Sequence, residues 1–215
     1  MADIFDLFKQ IAKNDNAPQT PPTHIIAGLG NPGAEYANTR HNAGFMALDH
    51  LASTLHAGVS RSKFNALCGD AMLGEYRVLL MKPLTFMNAS GESVRAAADF
   101  YKIPPSNILV LVDDIYQDPG RMRVRGDGTD GGQRGLRSII TELGSDKFPR
   151  IRLGVGKKPH PEYDLRDWVL GNLSAEDKAA MKTCFPLVEE AARLIFAGKT
   201  EQAMGLCNGH RPDKV

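Results

Sequence analysis

The sequence predicts an α/β fold: a single domain built as a three-layer αβα sandwich around a mixed, mostly parallel sheet. Three observations carry that expectation. Short apolar runs of strand type alternate along the chain with amphipathic helical stripes, the pattern of helices packed on both faces of a sheet. One run, Ile108 to Val112 (ILVLV), is apolar without alternation, as a strand buried on both faces must be. The 215 residues, 42% hydrophobic and 24% charged, suit one sizeable core.

The elements are expected in the following order. Residues 1–22 form a leader, with the amphipathic stretch Ile4 to Lys13 followed by a proline-bearing tether. The leader lacks the basic start, apolar centre and small-residue cleavage site of a secretory signal, and no apolar run approaches the ~20 residues of a membrane helix, so a cytoplasmic location is expected. His24 to Ala27 (HIIA) reads as a short buried strand. Phe45, Leu48, Leu51, Ala52 and Leu55 then fall at helical spacing. Ala66 to Leu73 and Arg77 to Met81 read as a strand pair reversing near Gly74-Glu75. Asn88 or Ser90 is expected to cap a helix that Pro104-Pro105 ends.

After the central apolar run, Pro119-Gly120 turns the chain into Arg121-Met-Arg-Val-Arg125, whose alternation places three arginines on one face. A glycine-rich loop, 126–132, leads to a short helix near Gly135 to Leu143. Arg150 to Val155 resumes as a strand presenting one more arginine pair, Arg150 and Arg152. A short helical element is expected within Tyr163 to Leu170, and Ser174, at capping-box spacing from Asp177, opens a final helix through Gly198. The domain is expected to span 23–200, with 201–215 as a C-terminal tail.

Cys68, Cys184 and Cys207 are scattered and odd in number, which suggests neither a disulfide framework nor a zinc site, and the six histidines lack metal-ligand spacing; no metal is expected. Net charge is only +1, but Arg121 to Lys158 carries ten basic residues against four acids, a net +6, leaving −5 for the rest. Such asymmetry suits a surface that meets phosphates, although a solvated face would look the same.

Gly28-x-Gly30-x-x-Gly33 follows the first strand at the spacing of a dinucleotide-binding turn. The polar stretch after Gly33 opens no helix at the third glycine, Asp49 falls inside a helical stripe where a ribose-binding acid would end a strand, and Pro32 removes a backbone donor. A nucleotide is therefore disfavoured. Instead Asn31, Tyr36 and His41 leave the first strand end, Phe86 and Asn88 follow another, and Asp113 ends the central run. Open α/β sheets gather their sites at such carboxyl ends, and a histidine beside a carboxylate suffices for general base catalysis. Each residue also has a plain role open to it: a helix cap for His41 or Asn88, a core ring for Phe86, turn acids for Asp113-Asp114.

"GLGNPGAEYANTRHNAGF", "KPLTFMNASG", the strand into Asp113-Asp114, "PGRMRVR", "GG..GLRSII" and "FPRIRLGVG" together, in this order, resemble the bacterial peptidyl-tRNA hydrolase family from about His24 to about Gly198. The resemblance implies hydrolysis of the ester joining a peptide to the 3′ end of tRNA, with contacts to the tRNA acceptor stem; no cofactor and no membrane are expected, and with no coiled-coil repeat or interface stripe in the sequence a monomer is the expectation. By motif, it implies His41 as the base for water and Asp113 as its orienting carboxylate. Asn31 and Asn88 would hold carbonyls, Tyr36 and Phe86 would shape the groove, and Arg123, Arg125 and Arg152 would contact phosphates. Two departures stand out. Gln133-Arg134 occupies the place where the family usually has His-Asn, and Tyr116 stands where a third acid is frequent. The rival expectation is a noncatalytic RNA-binding protein on the same scaffold.

Overall fold

The computed structural model describes residues 20–211. Most of the leader, including the amphipathic stretch Ile4 to Lys13, lies outside the described residues. Seven strands form one sheet: β1 (His24–Gly28), β2 (Arg61–Lys63), β3 (Ala66–Leu73), β4 (Tyr76–Pro83), β5 (Ile108–Asp114), β6 (Met122–Arg125) and β7 (Arg150–Gly154). Their order is β2-β3-β4-β1-β5-β7-β6. The pairs β4-β1, β1-β5 and β5-β7 are parallel, whereas β2-β3, β3-β4 and β6-β7 are antiparallel, so only β3 and β6 run against the rest. The sheet is mixed, as expected, with five of its seven strands running one way and its pairings split evenly between parallel and antiparallel.

Alternation in the central strands sorts the two helical layers. Ile26, Leu80, Leu109 and Leu111 face a core shared with α1 (Ala43–Thr54), α5 (Ala175–Phe196) and α6 (Thr200–Asn208). Ile25, Ala27, Leu79, Val110 and Val112 face the opposite way, onto α2 (Ser90–Tyr101) and α3 (Arg134–Leu143). With both faces covered, β1 and β5 are buried at every position, which is why their sequences are apolar except where His24 opens β1 and where Asp113 and Asp114 close β5. The short helix α4 (Leu165–Leu170) packs beyond the carboxyl ends of the strands, near the turn that precedes α1.

Four details differ from expectation. Neither Asn88 nor Ser90 caps α2: Asn88 lies in a 3-10 turn, Met87–Ala89, and the Ser90 hydroxyl donates to the Met87 carbonyl (3.0 Å). Arg121 lies outside β6, so only Arg123 and Arg125 present exposed side chains opposite the buried Met122 and Val124. Arg150 is 1% exposed rather than presented, because its guanidinium donates to the carbonyls of Gly128, Thr129, Asp146 and Phe148 and so folds the glycine-rich loop onto β7. Burial there pulls its pKa down to about 10. Finally, residues expected as a tail include α6, whose Asn208 side chain accepts from Val124 N (2.7 Å) and donates to Val124 O (3.3 Å), covering the open edge of β6.

Candidate active site

The strand order reverses about β1, whose two neighbours β4 and β5 follow it through crossovers on opposite sides, so a crevice forms beyond the carboxyl ends of these three strands. The glycines of the opening motif make the approach possible. A Cβ on Gly28 would come within 2.5 Å of the Gly44 carbonyl oxygen, and one on Gly44 within 2.3 Å of the Leu111 carbonyl. The start of α1 is thereby pressed against β1 and β5. In the spacing that resembles a phosphate-binding turn, Gly28 thus serves close backbone packing, Gly30 leaves room for the Phe45 ring, and Gly33 takes a positive φ of 116°.

Just before α1, the 3-10 turn Arg40–Asn42 carries His41. It is clamped on the outside by Arg40, whose backbone N–H donates to Gly171 O (3.1 Å), whose Nη1 donates to Asn172 O (3.0 Å) and whose guanidinium lies 3.5 Å from the Trp168 ring centroid. On the inside, the Asn42 side chain accepts from Asn31 N (2.8 Å) and donates to Asn31 O (3.0 Å). The turn has little freedom to move.

The imidazole so placed meets the carboxylate at the end of β5. His41 Nδ1 lies 3.0 Å from Asp113 Oδ2, with Asp113 3% exposed. A carboxylate accepts, so Nδ1 carries the proton and Nε2 keeps its lone pair, with no hydrogen-bond partner among the described residues. Burial disfavours the imidazolium, but the charge and hydrogen bond of Asp113 outweigh it. Arg134 opposes them, and the net pKa lies above the ordinary 6.5.

Around this pair opens a cleft of about 450 Å³ that gathers Asn31, Tyr36, His41, Phe86, Asn88, Asp113 and Arg152 from the sequence expectation. Asn31 Oδ1 accepts from Met87 N (2.8 Å), which turns its other amide atom, Nδ2, away as an uncommitted donor. Asn88 is exposed at the rim. The Tyr36 and Phe86 rings meet edge to face, 6.4 Å apart at 87°. Phe86 holds φ 55° and ψ 161°, a region nearly reserved for glycine and costing about 1–3 kcal/mol, while its ring stays 52% exposed. Arg152 lines the cleft but is engaged: its Nε donates to Asp114 Oδ2 (3.1 Å), and Asp114 also accepts from Tyr116 N and Gln117 Nε2. Arg123 and Arg125 lie outside the cleft, on the edge strand β6.

Sequence reasoning alone misses Gln133, Asn42, Met87 and the wall supplied by α4. Gln133 stands out there only as a departure from a motif; its polar side chain at a helix start is the available signal. Among the described residues no three His, Cys, Asp or Glu side chains gather as a metal would need. What the cleft offers is one base held by a carboxylate, amide donors, aromatic faces and guanidinium groups.

That set matches a known profile: the peptidyl-tRNA hydrolase family model covers residues 25–214. The chain belongs to the peptidyl-tRNA hydrolase family. A peptidyl-tRNA hydrolase of Lachnospira eligens is 46% identical over 186 residues, covering 86% of this chain and 100% of that protein. One from Clostridium perfringens is 44% identical over 185 residues, covering 86% and 97%. The crystal structure of the peptidyl-tRNA hydrolase of Acinetobacter baumannii superposes with a TM-score of 0.83 at 34% identity, covering 90% of this chain and 100% of that one. The family match therefore spans the whole sandwich and every element that lines the cleft. No helix among the described residues is long and apolar enough to cross a membrane.

Proposed function

We propose that this chain hydrolyses the ester bond between a peptide and the 3′ terminal ribose of tRNA, with His41 as general base. The observation that carries the reading is the 3.0 Å contact between His41 Nδ1 and Asp113, which leaves Nε2 basic at the floor of a cleft lined by amides and aromatic rings. In the first step Nε2 takes a proton from water as its oxygen attacks the ester carbonyl carbon. The tetrahedral oxyanion is met by the amide donors of Asn31 and Asn88, and the imidazolium is stabilised by Asp113. Collapse breaks the bond to the ribose oxygen, which recovers the proton from His41, so the base is regenerated and peptide acid and tRNA leave. An ester is already activated, and general base assistance typically contributes ~10²–10⁴-fold, with positioning supplying the rest.

Tyr36 and Phe86 shape the groove around the terminal nucleotide and the peptide. Arg123 and Arg125, with Arg152 nearer the cleft, meet acceptor-stem phosphates, which accounts for the +6 of that segment. The chain works as a monomer in the cytoplasm, where tRNA released from aborted translation is recycled. The test is incubation with N-acetyl-aminoacyl-tRNA and with its unblocked counterpart. Release from the blocked substrate alone is expected; tight binding without release would instead make the chain a noncatalytic RNA-binding module. His41→Ala is expected to lose nearly all turnover while keeping its unfolding midpoint, and unchanged turnover in that variant rejects the assignment.

A further inference from the structure

We infer that Gln133 is a positioning residue for the reaction, holding the Asp113 carboxylate in the plane and at the distance that His41 requires. The inference rests on the hydrolase reading above for its catalytic meaning.

Gln133 precedes α3, is 7% exposed and has each end of its amide assigned by its surroundings. The Leu136 backbone N–H lies 2.8 Å from Oε1 and can only donate, so that atom must be the oxygen. The other end is then the NH2, and it donates to Asp113 Oδ1 at 3.0 Å. The helix start thus dictates which atom faces the carboxylate. Asp113 ends with one oxygen satisfied by His41 and the other by Gln133, and a carboxylate held at both oxygens cannot rotate about its Cβ–Cγ bond without losing a buried hydrogen bond. The same NH2 lies 3.1 Å from Met87 Sδ, and Met87 N donates to Asn31 Oδ1, so the chain of contacts runs from the base to the amide proposed for the oxyanion. An amide also has no pKa near neutrality. The partner of Asp113 therefore does not compete with His41 for a proton.

Two variants separate positioning from simple helix capping. Gln133→Ser keeps a good cap for the Leu136 N–H but cannot reach Asp113. Gln133→Glu keeps the cap and the length but sets a second carboxyl oxygen against Asp113 Oδ1, where two such groups share one proton and repel once it is lost. The other charged or titratable groups lining the cleft are Arg134 from α3, Arg152 from β7, Arg166 from α4, and Tyr36 and Tyr116 from loops. They are unchanged in both variants.

For positioning, kcat on N-acetyl-aminoacyl-tRNA is expected to fall about ten- to a hundredfold in both variants, with KM within about twofold. The Gln133→Glu rate should also lose its high-pH plateau, while both variants stay folded with a single cooperative urea transition, at a midpoint lowered by the lost buried hydrogen bond. A capping role predicts wild-type kcat and a wild-type pH profile in Gln133→Ser, and wild-type kcat in either folded variant overturns the inference. A readout without substrate is the downfield Nδ1–H proton resonance of His41, expected in the wild type and broadened or absent in Gln133→Ser. Its persistence there would also overturn the inference. Because that resonance needs no turnover, it decides the role of Gln133 even where the wild-type chain releases nothing, an outcome that would count against the hydrolase reading alone.

Discussion

Replacing Asp113 by asparagine exchanges one oxygen for an NH2 and should strand the histidine in the wrong tautomer. Asp113 now accepts at both oxygens, from His41 Nδ1 (3.0 Å) and from Gln133 Nε2 (3.0 Å). An asparagine has one acceptor and one donor. Gln133 cannot turn its oxygen toward position 113, because Leu136 N–H holds that oxygen at 2.8 Å. The new carbonyl must therefore face Gln133, and the new NH2 must face His41. Nδ1 then becomes the acceptor, Nε2 takes the proton, and the atom aimed at water is no longer basic. An equivalent tautomer reversal in serine-protease triads costs about 10⁴-fold. A loss of about 10³–10⁴-fold in kcat is expected here, which is about 4–5.5 kcal/mol of barrier.

The pH dependence supplies a second sign. With Asp113 present, His41 titrates above its ordinary value; without that charge, burial and Arg134 remain, and both lower it. A general base works only when neutral, so the acid limb of kcat/KM should lie above pH 6.5 in the wild type and below it in Asp113→Asn. The assay is initial-rate hydrolysis of N-acetyl-aminoacyl-tRNA across the acid and alkaline limbs, with urea unfolding as the control on folding. Retention of more than about a tenth of wild-type kcat, or an acid limb that does not move down, would refute the tautomer reasoning.

Other residues give independent predictions. Arg134→Ala removes a cation that lowers the His41 pKa and that forms no ion pair among the described residues, so the acid limb should move to higher pH and KM for tRNA should rise. An unmoved limb would show that Arg134 is too far or too hydrated to act on His41. Arg123→Ala with Arg125→Ala should weaken tRNA binding and reduce the slope of log affinity against log salt by about 0.7–0.9 for each phosphate no longer neutralised, with kcat at saturation unchanged. Equal slopes in wild type and variant, measured by filter binding, would place the phosphate contacts elsewhere.

Which parts of this site are legible in the sequence follows from how local each cause is. β5 is apolar at five consecutive positions because both faces are covered, and that pattern needs no knowledge of its neighbours. His41 and Asp113 stand at strand and turn ends that periodicity alone locates, so their meeting at one rim could be expected from topology. Arg150 and Arg152 show the limit. They are two apart on one strand and share a face, yet Arg150 is sealed by carbonyls of the loop 126–132 and of Asp146 and Phe148, while Arg152, which also donates to Asp130 O, pairs with Asp114 beside the cleft. Nothing in the flanking sequence distinguishes them; both reach the loop, and the carboxylate that sets Arg152 apart, Asp114, ends a strand 38 residues upstream. Gln133 is hidden for the same reason, since its role arises where a helix start meets the end of a strand twenty residues earlier in the chain.

The glycine motif joins these two kinds of cause. Read by spacing, Gly28, Gly30 and Gly33 suggest a nucleotide; read by contact, Gly28 and Gly44 allow the start of α1 to press on β1 and β5 with no room for a methyl group. That approach brings the turn Arg40–Asn42, immediately ahead of α1, over the end of β5, and Asn42 then ties it back to Asn31. A longer side chain at either glycine would lift the helix start and carry His41 with it. At 3.0 Å the contact with Asp113 has little slack, because a hydrogen bond stretched to about 3.6 Å is no longer one. The glycines thus act on the chemistry through distance: by letting two backbones touch, they bring the imidazole within reach of its carboxylate.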